Sequence, residues 1–276
     1  MDATDHELIA ALKAGDAAAL DTLLARYAPS IYRFGRTMCR NPEDAAEVLQ
    51  ETMLAVARHA DRFREDAAFS TWLYTIARRA CMRLSRKRSG EPAAFDDPDG
   101  LHLSDDRQDP EAQVVADERK RRLYAALGAL SPDHREVILL RDIEQRTARE
   151  AAEILGIEVG AVKSRLHRAR VRLREILERD ETLPPPAADA KGACFEVERA
   201  LSEMIEGDLP KAACNRLTEH VETCPRCRAR CDALGTILAS CRRLTEDPVP
   251  TAVAMKVARA ARRALAEHMA PPWREG

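Results

Sequence analysis

Residues 147–170 read Thr147-Ala-Arg-Glu-Ala-Ala-Glu-Ile-Leu-Gly-Ile-Glu-Val-Gly-Ala-Val-Lys-Ser-Arg-Leu-His-Arg-Ala-Arg170. Thr147 and Glu150 have the Thr-x-x-Glu spacing of a capping box, which predicts a helix start. Ala151, Ala152, Ile154 and Leu155 form its inward face, and Gly156 supplies the stop. After Ile157 and Glu158 a second helix is predicted over 159–177. Two short helices joined by a glycine turn make a helix-turn-helix. The second helix carries Lys163, Arg165, Arg168, Arg170, Arg172 and Arg174, with no acid between 159 and 174. Such a helix suits a DNA major groove, its first residues at base edges and its later arginines on phosphates. A solvated basic helix is the bland alternative, but cap, turn and one-sided charge coincide.

Outward from this motif the chain reads as all-α. Of its 276 residues 45% are apolar and 33% charged, and 11 Gly and 15 Pro leave few helix breakers. No apolar run nears the ~18–20 residues of a membrane span, and the N-terminus lacks a basic-then-apolar leader. A cytoplasmic protein without a membrane partner is expected. The formal charge of −2 averages over blocks of opposite sign. Composition divides the chain into a helical block at 5–88, an acidic linker at 89–110 and a second helical block at 111–180. A Pro-rich spacer at 181–193, a cysteine-rich block at 194–245 and a tail at 246–276 follow. The linker holds seven acids against Arg107 alone, an extended and solvated composition. The tail carries an amphipathic helix over 251–269.

Within the first block, Asp44, Glu47 and Glu51 fall at i, i+3 and i+7, one acidic helix face. On the following helix Trp72, Leu73, Ile76, Ala80 and Leu84 share a face, while Arg78, Arg79, Arg83 and Arg86 lie towards the other. Residues 78–88 hold six bases and no acid, a surface suited to strand phosphates. The loop Asp61–Phe69 is the candidate pocket for an unstacked base. Trp72 reads as core rather than as a stacking platform, and so do Cys39 and Cys81.

The chain has eight cysteines. His220-Val-Glu-Thr-Cys224-Pro-Arg-Cys227 is His-x3-Cys-x2-Cys, in which helical i, i+4 spacing brings His220 and Cys224 to one face. Zinc takes four such ligands in a tetrahedron, and a closed shell is structural rather than hydrolytic. On count alone Cys194, Cys214, Cys231 or Cys241 could complete it. No nucleophile motif or nucleotide-binding glycine loop is present, so neither enzymatic activity nor a small-molecule substrate is expected.

Residues 130–141 together with 155–170 resemble region four of extracytoplasmic-function sigma factors, which reads the −35 promoter element. Asn41-Pro-Glu-Asp-Ala-Ala-Glu-Val-Leu-Gln-Glu-Thr-Met53 is similar to region 2.2 of that family. Ser70-Thr-Trp-Leu-Tyr-Thr-Ile-Ala-Arg-Arg79 is similar to regions 2.3 and 2.4. Ala151, Ala161 and Arg79 stand where the family usually has Ile, Thr and Asn. The resemblance implies RNA polymerase core enzyme and promoter DNA as partners. It implies core binding through Asp44, Glu47, Gln50 and Glu51. It further implies −10 contacts from Arg78, Arg79, Arg83 and Arg86, and −35 contacts from Lys163, Ser164, Arg165, Arg168 and Arg170.

The cysteine block resembles the zinc-binding anti-sigma domain, whose first ligand lies about 26 residues before the His. That implies one structural zinc on Cys194, His220, Cys224 and Cys227. The surplus thiols Cys214, Cys231 and Cys241 then suggest a sensing set for a second, soft metal ion, with redox-active or plain core cysteines as alternatives. The reading is a promoter-recognition subunit regulated by its own zinc-binding, metal-sensing domain. Its alternatives are a redox-responsive version and a helix-turn-helix regulator that does not act with core polymerase.

Overall fold

The computed structural model describes residues 3–63, 67–87, 110–179 and 197–270. Most of the acidic linker, the Pro-rich spacer and Cys194 lie outside the described residues. Among the described residues there is no strand, in agreement with the all-α expectation. The helices are α1 (Asp5–Lys13), α2 (Ala17–Cys39), α3 (Pro42–His59), α4 (Phe69–Lys87), α5 (Pro110–Gly128) and α6 (Pro132–Ile138). They continue as α7 (Ala148–Leu155), α8 (Val159–Arg179), α9 (Val197–Glu206), α10 (Lys211–Thr223), α11 (Pro225–Arg243) and α12 (Thr251–Met269). The chain falls into two compact units. One holds α1–α4, nearly all of α7 and, from the far end of the sequence, α12; the other holds α5, α6 and α8–α11.

In the first unit, side-chain caps start the helices. Thr4 and Glu7 form a reciprocal capping box on α1, and Asp16 Oδ1 accepts from the Ala18 amide, 2.8 Å away, on α2. Asn41 Oδ1 accepts from the Asp44 amide at 2.7 Å, and Pro42 takes the first helical position of α3, where its missing N–H costs nothing. Gly35 lets α2 and α3 approach closely: a Cβ there would stand 2.8 Å from Ala45 Cα. Against α2 and α3 lies α12, burying Val257, Ala261, Ala264 and Leu265. Arg262 holds Asp21 with two bonds of 2.7 Å, and Arg33 donates to the Thr245 carbonyl at 3.1 Å. The tail is therefore a docked part of this unit.

In the second unit, buried Arg135 donates to the carbonyls of Leu127, Gly128 and Leu130 at 2.8–2.9 Å, closing the end of α5 and bracing α6. After α6, Leu139–Ile143 form a π-helical turn, with the Glu144 amide donating to the Leu139 carbonyl at 2.8 Å. Helix α8 packs through Val162, Leu166, Ala169, Leu173, Ile176 and Leu177.

Candidate nucleic-acid interface and metal centre

The sequence order of helix, glycine turn and helix is observed. Helix α7 ends at Gly156, whose φ of 68° is left-handed and whose amide donates to the Ala152 carbonyl at 2.8 Å. Helix α8 begins three residues later. The basic side chains of α8 then have different fates. Ser164 and Arg168 are exposed. Arg165 lies 3.6 Å from Asp133, and Lys163 Nζ lies 2.7 Å from Asp208 Oδ1.

Arg170 is only 4% exposed. Its guanidinium donates to both Asp142 oxygens at 2.5 and 3.0 Å, to Ser202 Oγ at 2.8 Å and to Glu206 at 3.0 Å. Arg141 also pairs with Glu206. Burial alone would lower the Arg170 pKa, but its bonds to Asp142 and Glu206 raise it, so the cation is secure. Arg174 reaches Glu198 at 2.6 Å, and Arg230 of α11 shares that carboxylate at 3.2 Å. Glu198, Ser202 and Glu206 recur every four residues along α9 and so present one polar stripe to α8. A cleft of about 820 Å³ beside this contact is lined by His134, His167, Arg168, Arg172 and Arg199.

Helices α9–α11 gather round the metal motif. Cys224 is the extended residue between α10 and α11, and Pro225 starts α11 so that Cys227 falls in its first turn. His220 Nε2 lies 3.2 Å from Cys227 Sγ, and the ligand atoms of His220, Cys224 and Cys227 all lie within 4.8 Å of one another. Shifts on the order of 1 Å would bring them to zinc distances, so this soft donor set fits the ion. The core beneath is small: Val197, Leu201, Leu217 and Cys227 are its buried members.

Cys214, Cys231 and Cys241 do not converge. Cys241 is fully buried, where burial pushes its pKa well up, most of a helix away from Cys227 along α11. Cys214 faces the Leu209 carbonyl at 3.4 Å, and Cys231 packs at the edge of the small core. Burial raises the Cys231 pKa as well.

In the first unit α3 and α4 are linked by an Arg83–Glu51 ion pair. Arg79 and Arg86 are exposed, and Arg78 is half-buried. Glu47 is exposed, and Gln50 and Glu51 are half-buried. Asp44 is 4% exposed and accepts from Asn41 Nδ2 at 2.8 Å, so it serves the helix start rather than an open acidic face. The buried face of α4 also includes Tyr74, Ala77 and Cys81, which were not in the predicted stripe. Trp72 is half-buried in an aromatic cluster with Phe63 and Phe69, ring centroids 5.3–5.7 Å apart, and residues 64–66 of the expected base pocket lie outside the described residues.

The family described as "Sigma-70 region 2" matches residues 23–91, and "Sigma-70, region 4" matches 120–173. A third, described as "Putative zinc-finger", matches 194–228. The ECF RNA polymerase sigma factor SigM of Mycobacterium tuberculosis is 36% identical over 175 residues, 63% of this chain and 85% of that protein. The chain belongs to the extracytoplasmic-function sigma factor family. The RNA polymerase sigma factor CnrH of Cupriavidus metallidurans is 32% identical over 182 residues, covering 64% of this chain and 95% of its own. A solved structure of CnrH in complex with the cytosolic domain of CnrY matches at 28% identity and a TM-score of 0.49, over 64% of this chain and 98% of that one.

This sigma factor is thus a transcription-initiation subunit rather than an enzyme, and RNA polymerase and promoter DNA are its partners. Among the described residues no helix is long and apolar enough to cross a membrane. Sequence reasoning missed the acids of α9 that meet the α8 arginines. The signal was present as the four-residue repeat of Glu198, Ser202 and Glu206 against the same repeat of Arg170 and Arg174.

Proposed function

We propose that this sigma factor is held in check in cis by its own zinc-bound C-terminal helices, and that the metal state of those helices sets its activity. The observation that carries the reading is the contact of α9 and the turn after it with α8, where Asp208, Glu206 and Glu198 meet Lys163, Arg170 and Arg174. A basic side chain neutralised by an acid of its own chain has lost the field that attracts phosphate. One zinc on Cys194, His220, Cys224 and Cys227 closes the core that positions α9. Lys163, Ser164, Arg165 and Arg168 are the −35 contacts, of which undocking frees Lys163 from Asp208, and Arg170 belongs to the contact with α9. Arg78, Arg79, Arg83 and Arg86 serve the −10 strand. Glu47, Gln50 and Glu51 serve the polymerase, and the work is done in the cytoplasm where polymerase acts.

The test is transcription from a matched promoter by core polymerase with the full chain. Glu198→Lys on α9 together with Asp208→Lys in the turn after it converts two attractions into repulsions. A several-fold rise in transcript over wild type is expected. Equal or lower transcription by a variant of unchanged helicity overturns regulation through this contact.

A further inference from the structure

Helices α2 and α4 run alongside each other in the same direction, and three contacts fix their register. Tyr27 meets Phe69 with ring centroids 5.5 Å apart, and Phe34 meets Tyr74 at 5.6 Å. Further along both helices, Cys39 Sγ lies 3.1 Å from Cys81 Sγ. The two thiols are 42 residues apart in sequence, so packing of the helices, not local chain geometry, brings them together. Cys81 is buried and Cys39 is half-buried, giving one sulfur that small reagents reach and one held behind it. Neither belongs to the His220, Cys224 and Cys227 cluster. A disulfide needs sulfurs about 2.05 Å apart, so closure asks each to move by only about half an ångström.

We propose that Cys39 and Cys81 are an oxidisable dithiol, converted by hydroperoxides to a disulfide that staples α2 to α4. The Cys39 thiolate attacks one peroxide oxygen and the O–O bond breaks. This leaves a sulfenic acid on Cys39 and releases hydroxide, or alkoxide from an organic peroxide, which takes up a proton. The Cys81 thiol then gives up its proton, and its sulfur attacks the Cys39 sulfur and displaces the hydroxyl as water. In sum, two thiols and one hydrogen peroxide give one disulfide and two waters, and a dithiol reductant reverses the change. The staple joins the end of α2, where Asn41 caps α3, to the helix that presents Arg79, Arg83 and Arg86. It therefore fixes the spacing of α2 and α4 without using any metal ligand.

The test treats the reduced full chain with hydrogen peroxide, alkylates residual thiols and digests with trypsin without reductant. Peptide Thr37–Arg40 joined to Ala80–Arg83, two hydrogens lighter than their sum, is the expected product. It should form while the peptide carrying half-exposed Cys214 is still recovered alkylated, vanish on adding dithiothreitol, and be absent when the chain is oxidised in urea. Cys39→Ala and Cys81→Ala should each abolish it. In the wild type alone, oxidation should also raise the thermal midpoint of the unit holding α1–α4. Recovery of Cys39 and Cys81 as separately alkylated or separately over-oxidised peptides overturns the proposal. So does a cross-link formed equally well in urea. Mapping the wild-type protein decides the matter even where a variant fails to fold.

Discussion

Arg170 shows how much one side chain can differ from its neighbours in a charged run. It shares α8 with six other Lys and Arg side chains, yet it alone is sunk between Asp142 of the π-helical turn and Ser202 and Glu206 of α9. Removing one partner of a buried ion cluster strands the remaining charge, which costs far more than losing a solvated pair. Glu206→Ala should therefore destabilise the unit by about 3–5 kcal/mol. Arg168→Ala, on the exposed face, should stay within about 0.5 kcal/mol while weakening promoter binding. Urea unfolding of the two variants separates the roles; similar losses would mean that Arg170 and its partners are an ordinary surface network. The sequence already held part of this answer. Leu166, Ala169 and Leu173 set the buried phase of α8, and Arg170 follows Ala169 on its edge. Charge counting pooled six side chains, and only helical phase distinguishes the one that turns inward.

At the scale of elements, helix boundaries were legible and partners were not. The helix read over 251–269 is α12, and the turn at Gly156 lies where its left-handed φ was needed. An amphipathic stripe states that a face is buried, never against what. For α12 the covering surface is α2 and α3, more than 190 residues earlier, and no local pattern carries that information. The charge periodicity of α3 likewise did not show that Asp44 turns in to meet Asn41, because a cap and a surface acid look alike in sequence. Ala261 is wholly buried in the α12 contact, whereas the Arg262–Asp21 pair lies on its exposed rim. Ala261→Asp should therefore detach α12 by placing an unpaired charge in an apolar contact. Arg262→Ala should cost at most about 1 kcal/mol. Limited trypsin digestion reports the difference, with rapid cleavage at Arg259, Arg262 and Arg263 only in the Ala261 variant. Wild-type resistance in both would place the hold of α12 elsewhere.

For the molecule as a whole, composition suggested a separate cysteine-rich domain and a tail, whereas the C-terminal segments are built into both units. Helices α9–α11 complete the unit that contains α8, and α12 completes the one that contains α3 and α4. Contacts made within one chain act at the high effective concentration set by the connecting segments, so modest ion pairs suffice to keep α9 on α8. Release must then come from weakening the docked element itself. The means is the metal, because the core shared by α9, α10 and the start of α11, only Val197, Leu201, Leu217 and Cys227, is too small to hold them without a further tie. Cys224→Ser, or a strong zinc chelator on the wild type, should unfold residues 197–243 and leave α1–α4 intact, as read by amide hydrogen exchange. Undocking frees Lys163 from Asp208 and takes Glu206 and Glu198 away from Arg170 and Arg174, so promoter-dependent transcription with core polymerase should rise together with the exchange. The two readouts are linked by one equilibrium, and a metal can shift it only by its different affinity for the docked and released forms. Added zinc should therefore return both to the resting level in the chelated wild type and neither in Cys224→Ser. Unfolding of α9–α11 without a gain in transcription would mean that the ion pairs on α8 are structural and that promoter access is set elsewhere in the chain.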